Sequence, residues 1–401
     1  MSNLDYSKIL LVVTLISLTI PNTMDILPTF AQTNPVVSSP TEITVGTNPS
    51  GIAYDSVKGE IFVANVSDNT VSVISDSANA VVATIPVDKS PTSIAYDPVK
   101  GEMFVTNFVG NTISVISDST NAVVATIHDP EEPIGAPIGI AYDSGKGEMF
   151  VTNNYDNTVS VISDSTNAVV STIPVGQSQP EGIAYDSGKG EMFVTNIMDN
   201  TVSIISDSTN AVIRPITVGN HPVGIAYDPG KGEIFVANSM LMGTVSVISD
   251  SSNGVVNTIV VGGQPACMAY DPAKGEMFVA NIGANTISVI SDSTNAVVRN
   301  IDVGSKSVGI AYDSGKGEMF VTHGTGNTVS IISDLTNTGT TTPTTTLTNP
   351  TTTPAKIPNW VKSVCSVNSC WVALAMPKSM TLGTGTPSCS VTKTFDGLMS
   401  R

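Results

Sequence analysis

The sequence predicts an all-β fold: a seven-bladed β-propeller of four-stranded antiparallel blades, its ring closed by the N-terminal strand. Three observations carry this expectation. The tetrad Ile-Ala-Tyr-Asp recurs, ending at Asp55, Asp97, Asp143, Asp186, Asp228, Asp271 and Asp313, with Met268 once in place of Ile. The intervals of 42, 46, 43, 42, 43 and 42 residues define seven copies of one unit, and each of the first six copies holds four short β-rich runs. That combination of period and strand number is the pattern of a propeller blade. Finally, the seventh copy lacks its fourth run, while a matching run stands ahead of the first copy.

The chain opens with a segment outside the repeat. Lys8 precedes a twelve-residue apolar run from Ile9 to Ile20, ended by Pro21, and Thr29-Phe30-Ala31 offers small residues at a cleavage site. This is the pattern of a secretory signal peptide over residues 1–31, followed by a linker at 32–40. A membrane-spanning helix needs about 20 apolar residues, so the mature chain is expected to have no membrane span. The expected location is secreted, at the cell surface.

The propeller is predicted over residues 41–334. In the first copy, Gly51–Tyr54, Glu60–Asn65, Thr70–Ser75 and Ala80–Ile85 are the four strands. Asp55–Gly59, Ser67–Asn69 and Asp76–Asn79 are rich in the residues that favour turns. Second strands such as Met103-Phe104-Val105-Thr106 are apolar almost throughout, as expected of a sheet covered on both faces. The seventh copy ends at Ile331-Ile332-Ser333-Asp334, and Ile43-Thr44-Val45-Gly46 matches the fourth-strand ending Ile216-Thr217-Val218-Gly219. The N-terminal strand is therefore expected to complete the seventh blade.

Phe-Val-Thr-Asn at Phe104–Asn107, Phe150–Asn153 and Phe193–Asn196, and Phe-Val-Ala-Asn at Phe62–Asn65, Phe235–Asn238 and Phe278–Asn281, resemble the YVTN β-propeller repeat. The upstream Pro-x-Gly-Ile-Ala and downstream Asn-Thr-Val-Ser-Val-Ile fit the same family, over residues 41–334. Phe stands for the family's usual Tyr, and His323 for the last Asn. The resemblance implies a surface-layer-like or otherwise extracytoplasmic protein, often archaeal or bacterial and usually without assigned activity.

Alternating strand direction sorts the loops onto two faces. One face repeats Asp-x-x-Lys-Gly-Glu in every copy, as at Asp55/Lys58/Glu60 and Asp97/Lys100/Glu102. It reads as a hairpin turn with Gly at a positive-φ position and a local Asp–Lys pair. The recurrent Ser-Asp-Ser-Thr-Asn reads as a turn in which Asp and Asn cap backbone amides. The other face varies from blade to blade and is the candidate binding face. Its strand 2–3 loops carry Asp68 and Phe108, then Asn154, Tyr155 and Asp156, then Ile197, Met198 and Asp199, and finally Met240, Leu241 and Met242. Its crossing loops contribute Glu131, Glu132, Glu181 and His221. Methionine-rich exposed patches suit adaptable contacts, and Met240-Leu241-Met242 beside Ile197-Met198 on the adjacent blade is an apolar cluster in loops expected to be exposed.

Chemistry is sparse. A net charge of −17 disfavours nucleic acid, which requires a basic footprint. The three histidines, His128, His221 and His323, fall in three blades and suggest no metal centre. No phosphate loop, activated Ser or Cys/His pair is present, so no catalytic residue and no cofactor are expected. Only Glu181 and Cys267 interrupt the small and aliphatic first strands, and Cys267 reads as a buried, inert thiol.

From 335 to 358 the chain becomes a Thr/Pro-rich linker, and 359–401 is a cysteine-containing tail of unknown fold. Secretion makes disulfides among Cys365, Cys370 and Cys389 an expectation. Their odd number suggests a cross-link to another molecule. The residues together point to a non-catalytic, secreted or cell-surface module that binds an envelope protein or glycan through its variable face. A structural surface-layer component, or a propeller enzyme of lactonase or dehydrogenase type, are the alternatives.

Overall fold

A computed structural model describes residues 41–128, 135–176 and 179–333. The signal-peptide, linker and tail segments, Glu131, Glu132 and the three tail cysteines lie outside the described residues. Within them there are 28 strands and no helix, arranged as seven separate four-stranded antiparallel sheets. The fold is a seven-bladed β-propeller.

Blade one shows the plan. Its strands are β2 (Pro49–Asp55), β3 (Glu60–Asn65), β4 (Thr70–Ser75) and β5 (Ala80–Pro86), hydrogen-bonded in that order. All seven residues of β2 are buried, as are the last five of β3. By contrast, β5 alternates between exposed and half-buried positions over its first five residues and buries only Ile85. The gradient follows from position. The first strands of neighbouring blades pack on one another around the axis, whereas the fourth strands form the rim.

The blades are joined by a repeated apolar wedge. Phe62, fully buried, packs with Ile94, Tyr96 and Met103 of blade two. Phe104 meets Ile140 and Met149 of blade three in the same way. Burial of each ring contributes roughly 1.5–3 kcal/mol. Because both faces of every inner strand are covered, the strands read as continuous apolar runs.

Threonine adds a polar tie. Thr152 Oγ1 accepts from Gly139 N (2.8 Å) and contacts Glu181 O of the next blade at 2.8 Å. Thr195 repeats this with Gly182 N and Val223 O. Across the closing seam, Thr322 Oγ1 reaches Ser50 O at 2.8 Å, so the last blade grips the first.

Closure comes from the N-terminal strand, as expected. β1 (Thr41–Thr44) pairs antiparallel with β28 (Thr328–Ile332), with Ile43 opposite Val329. The strand itself begins two residues before the predicted Ile43, and Val45 N continues the pairing to Asn327 O at 3.0 Å. Ile43 is 6% exposed and packs with Ile331 and Val329. The Asn of the Phe-Val-x-Asn motif also acquires a role. Asn65 Nδ2 donates to Thr70 Oγ1 (3.0 Å) and Ser72 Oγ (2.9 Å), tying the second strand to the third. In the seventh blade His323 Nε2 meets Ser330 Oγ at 2.7 Å instead.

A chain beginning at Ser50 is expected to lose cooperative unfolding, because the seventh blade would keep only three strands. Ile43→Ala should cost about 2–4 kcal/mol. Thermal and denaturant melts of both variants check this; a melt matching that of the full chain would refute the closure.

Candidate functional site

The variable face is built on a repeated backbone device. In the crossing loops Asn48, Ser90, Ala136, Gln179, His221 and Gln264 all have positive φ, between 52° and 59°. Side-chain residues rarely adopt this conformation without support. Support comes from an Asn in the preceding blade's strand 2–3 loop. Ser90 N donates to Asn69 Oδ1 (2.8 Å), Gln179 N to Asn157 Oδ1 (2.9 Å) and His221 N to Asn200 Oδ1 (2.8 Å). At the seam Asn48 N donates to Asn327 Oδ1 (2.9 Å).

Blade five breaks the rule. Its strand 2–3 loop is one residue longer, Ser239-Met240-Leu241-Met242-Gly243, and has Gly243 where the Asn would be. Gln264 N turns instead to Met240 O at 2.7 Å. A Cβ on Gly243 would overlap Gly262 O, and one on Gly263 would crowd Leu241 O. The loop's backbone therefore lies on the Val261–Gln264 crossing. Its side chains stay out: Met240 is 46% exposed, Leu241 85% and Met242 83%. On the neighbouring blade Met198 is 64% exposed. His221 links the two loops, since its N–H meets Asn200 and its carbonyl accepts from Ser239 N (2.8 Å).

The other predicted face residues divide into exposed and buried. Tyr155 is exposed and stacks edge-on against Phe108, with ring centroids 5.5 Å apart. Phe108 itself is buried with Ala136 and Ile138. Ile197 is buried beside exposed Met198, and Asn154 is buried with Nδ2 donating to Pro180 O at 3.2 Å. Asp156 and Asp199 are exposed, while exposed Asp68 accepts from Thr47 N at 2.6 Å. Glu181 is 1% exposed, in the first strand of blade four. Its counterparts in the other first strands are Ser50, Thr92, Ile138, Val223, Ala266 and Val308.

The repeated face differs from its sequence reading in two respects. The glycines do sit at positive φ, 70° at Gly59 and 69° at Gly101. Asp55 Oδ1 accepts from Val57 N (2.8 Å) and Lys58 N (3.2 Å). The lysine, however, does not pair locally. Lys58 Nζ donates to Asp118 O of blade two, Lys100 to Asp164 O of blade three, and Lys316 of blade seven to Asp76 O of blade one. A four-carbon stem reaches the neighbouring turn more easily than it folds back onto its own. Nor does the Asp of Ser-Asp-Ser-Thr-Asn cap an amide in blade two, where Asp118 Oδ2 accepts from Tyr96 OH at 3.3 Å. In this turn Asn121 supplies a positive φ of 49°. These straps were missed by sequence reasoning, although a Lys kept in all seven copies was a signal for them.

The straps crowd carboxylates together. Burial raises the Asp118 carboxyl above the ordinary carboxylate range, and the negative charge of Asp55 raises it further. Asp164 is raised by burial and by Asp97 in the same way. Glu60, Glu102, Glu148 and Glu191 are also raised, chiefly by burial. The tyrosines between the carboxylates, Tyr96 and Tyr142, are held far above their usual range by burial and adjacent Asp charge.

His323 is fully buried in the seventh blade's second strand, and burial lowers its pKa. His128 is exposed and His221 half-buried on crossing loops. Among the described residues, no group of three or more His, Cys, Asp or Glu is placed to hold a metal ion. No helix among them is long and apolar enough to cross a membrane. Cys267, on the first strand of blade six, is fully buried as expected but is disulfide-bonded rather than a free thiol.

No model of a known protein family matches the chain, and no curated protein does. Solved structures share the fold. One chain titled Hydrazine Synthase, from Kuenenia stuttgartiensis, superposes with a TM-score of 0.64 at 15% identity, covering 76% of this chain and 99% of that one. At that identity the likeness shows the propeller and carries no activity across.

A raised carboxyl binds protons more tightly in the folded than in the unfolded chain. Its stabilising contribution is complete below the ordinary carboxylate range and is lost as pH rises through the raised value. Asp118→Asn should therefore raise Tm at pH 7, by about 2 °C per kcal/mol of relieved repulsion, and leave it unchanged near pH 3.5. Melts of both proteins at the two pH values test this; an equal shift at both would place the effect outside the carboxylate pair.

Proposed function

We propose that the protein is a secreted or cell-surface binding propeller that engages an envelope protein or glycan chain through the variable face, without catalysis. The observation that carries this reading is the loop of blade five. Met240, Leu241 and Met242 project from the face in one run, beside exposed Met198 of the neighbouring blade, whereas Phe108 and Ile197 of other strand 2–3 loops are buried. Methionine suits this role because its unbranched, polarisable side chain adapts to more than one partner surface. A solvent-facing apolar group of this kind is a liability unless something covers it.

The resemblance to YVTN-repeat propellers and the leader-like N-terminus support an extracytoplasmic setting. The repeated face supports a division of labour, with Lys–carbonyl straps and Asp–Tyr contacts holding blades together and the opposite face left free to vary. The absence of an acid–base or nucleophile constellation in the sequence supports binding over turnover. The enzyme alternative has one specific residue in its favour, the buried carboxyl group of Glu181 near the axis.

Replacing Met240, Leu241 and Met242 together by Ser should leave the melting temperature within about 2 °C of native, since exposed substitutions change stability little. Saturable retention of an envelope or supernatant component by the native chain should be lost in that variant. Equal retention by both proteins would move the binding surface elsewhere. Turnover of a lactone or redox substrate, abolished by Glu181→Gln, would replace this reading with the enzymatic one.

A further inference from the structure

The fourth strand of each blade is the outer edge of its sheet. Its outward backbone groups can pair with another chain unless something blunts them. In blade five β20 (Thr244–Ser249) pairs with β21 (Gly254–Val260), with Thr244 opposite Val260 and Ser246 opposite Thr258. Just beyond, Val261 N donates to Gly243 O at 3.0 Å. Hydrogen-bonded and non-hydrogen-bonded pairs alternate along an antiparallel ladder, so Thr258 and Val260 turn their backbone groups outward. Thr258 N donates to the Asn257 side chain, Oδ1 at 2.8 Å. The Val260 N–H and the carbonyls of Thr258 and Val260 stay on the free edge.

The other blades treat these two positions differently. Proline removes an outward N–H at Pro86 in blade one, Pro174 in blade three and Pro215 in blade four. Asp302 and Glu42 place a charge there in blades six and seven. Blade two has Thr126, and its edge strand ends before exposed His128. Only blade five puts an aliphatic side chain at the outermost position, where Val260 is 71% exposed. Val260 also borders a groove lined by Val261 and Gly262 and by Thr286, Val297 and Asn300 of blade six. Gly243 lies against Gly262 O, which joins this groove to the Met240-Leu241-Met242 loop.

Charge sets the sign of the partner. Between residues 180 and 302 the basic side chains are Lys189, Arg214, Lys231, Lys274 and Arg299. All five belong to the repeated face. Lys189, Arg214 and Lys231 reach backbone carbonyls in the next blade's turns, Arg299 pairs with Glu276 at 2.7 Å, and Lys274 stands in the Asp271–Glu276 turn. The next basic residue is Lys306, on the crossing into blade seven. On the variable face, exposed Asp199 follows Met198, and exposed Asp302 stands opposite Thr286. The apolar strip is thus flanked by acid at both ends.

We propose that the partner of this face is an extended protein segment, apolar at its centre with Lys or Arg at its ends, added as a strand to the outer edge of β21. The proposal rests on the binding role of the variable face and narrows the partner to a protein. A strand satisfies the free edge groups. Its apolar side chains cover Val260, Met240, Leu241 and Met242, and its cations meet Asp199 and Asp302. An anionic chain would meet like charge there, and a neutral glycan has no strand to add.

The test measures fluorescence anisotropy of two synthetic peptides against the full chain. One alternates Val and Thr between paired lysines at each end; its twin carries Glu in place of Lys. The Lys peptide should bind saturably, and the Glu peptide at least about tenfold more weakly. Val260→Pro repeats what Pro86 and Pro174 do in their blades, so the chain should fold, as a thermal melt checks. It should weaken the Lys peptide about tenfold, whereas Val260→Thr, which keeps the N–H, should cost less than about threefold. Asp199→Asn with Asp302→Asn should weaken it about fivefold at ~0.1 M salt and not at ~1 M. Equal affinity for the two peptides, or full binding by a folded Val260→Pro chain, would overturn the proposal. If replacing Met240, Leu241 and Met242 by Ser still releases the envelope component in that case, the binding role stands and its partner adds no strand.

Discussion

The ring depends on one interaction, the pairing of Thr41–Thr44 with Thr328–Ile332. Every blade touches only its neighbours, so six of the seven interfaces follow from chain order, while the seventh must join residues almost 300 positions apart. The antiparallel ladder from Thr41↔Ile331 to Thr44↔Thr328 fixes that seam. Three further contacts use it: Asn48 N on Asn327, Thr322 on Ser50 O, and Lys316 on Asp76 O. Each is the closing member of a set found elsewhere around the ring. All of them join the two ends of the chain, which makes closure a long-range step with a large loop-entropy cost.

Repetition explains which residues hold the molecule together. The Phe wedge and the lysine strap each cross from one blade to the next. The Asn bridge works within a blade, between its second and third strands. Where a copy deviates, the structure compensates locally. His323 takes over the Asn bridge with its imidazole, and Gln264 finds the Met240 carbonyl where blade five has no Asn. The side chains of Met240, Leu241 and Met242 take over no such contact and stay exposed to solvent.

The acidic balance has a structural counterpart. Carboxylates from neighbouring blades meet around Tyr96 and Tyr142, and the lysine ammonium groups reach backbone carbonyls in the same turns. Burial and like charge push several of these acids above their ordinary range, so the folded ring favours protons at its repeated face. His323 runs the other way, since burial favours its neutral form. The pH dependence of stability is thus a contest between many carboxyl groups and one imidazole.

Blade number, strand order, the closing strand and the positive-φ glycines were legible in the sequence because each is a local pattern repeated at a fixed interval. A turn needs its Gly, and a doubly covered strand needs its apolar run, whatever surrounds them. The partners of side chains were not legible. That Lys58 reaches Asp118 rather than Asp55, and that Ile197 and Phe108 turn in while Met198 turns out, depend on how adjacent blades approach one another. That approach is set by packing across interfaces some 40 residues apart in sequence, and no local pattern encodes it. The sequence by itself determined the ring and its repeating unit; only the tertiary structure decided which exceptions to the repeat face solvent, because exposure is a property of the space between blades and not of the chain.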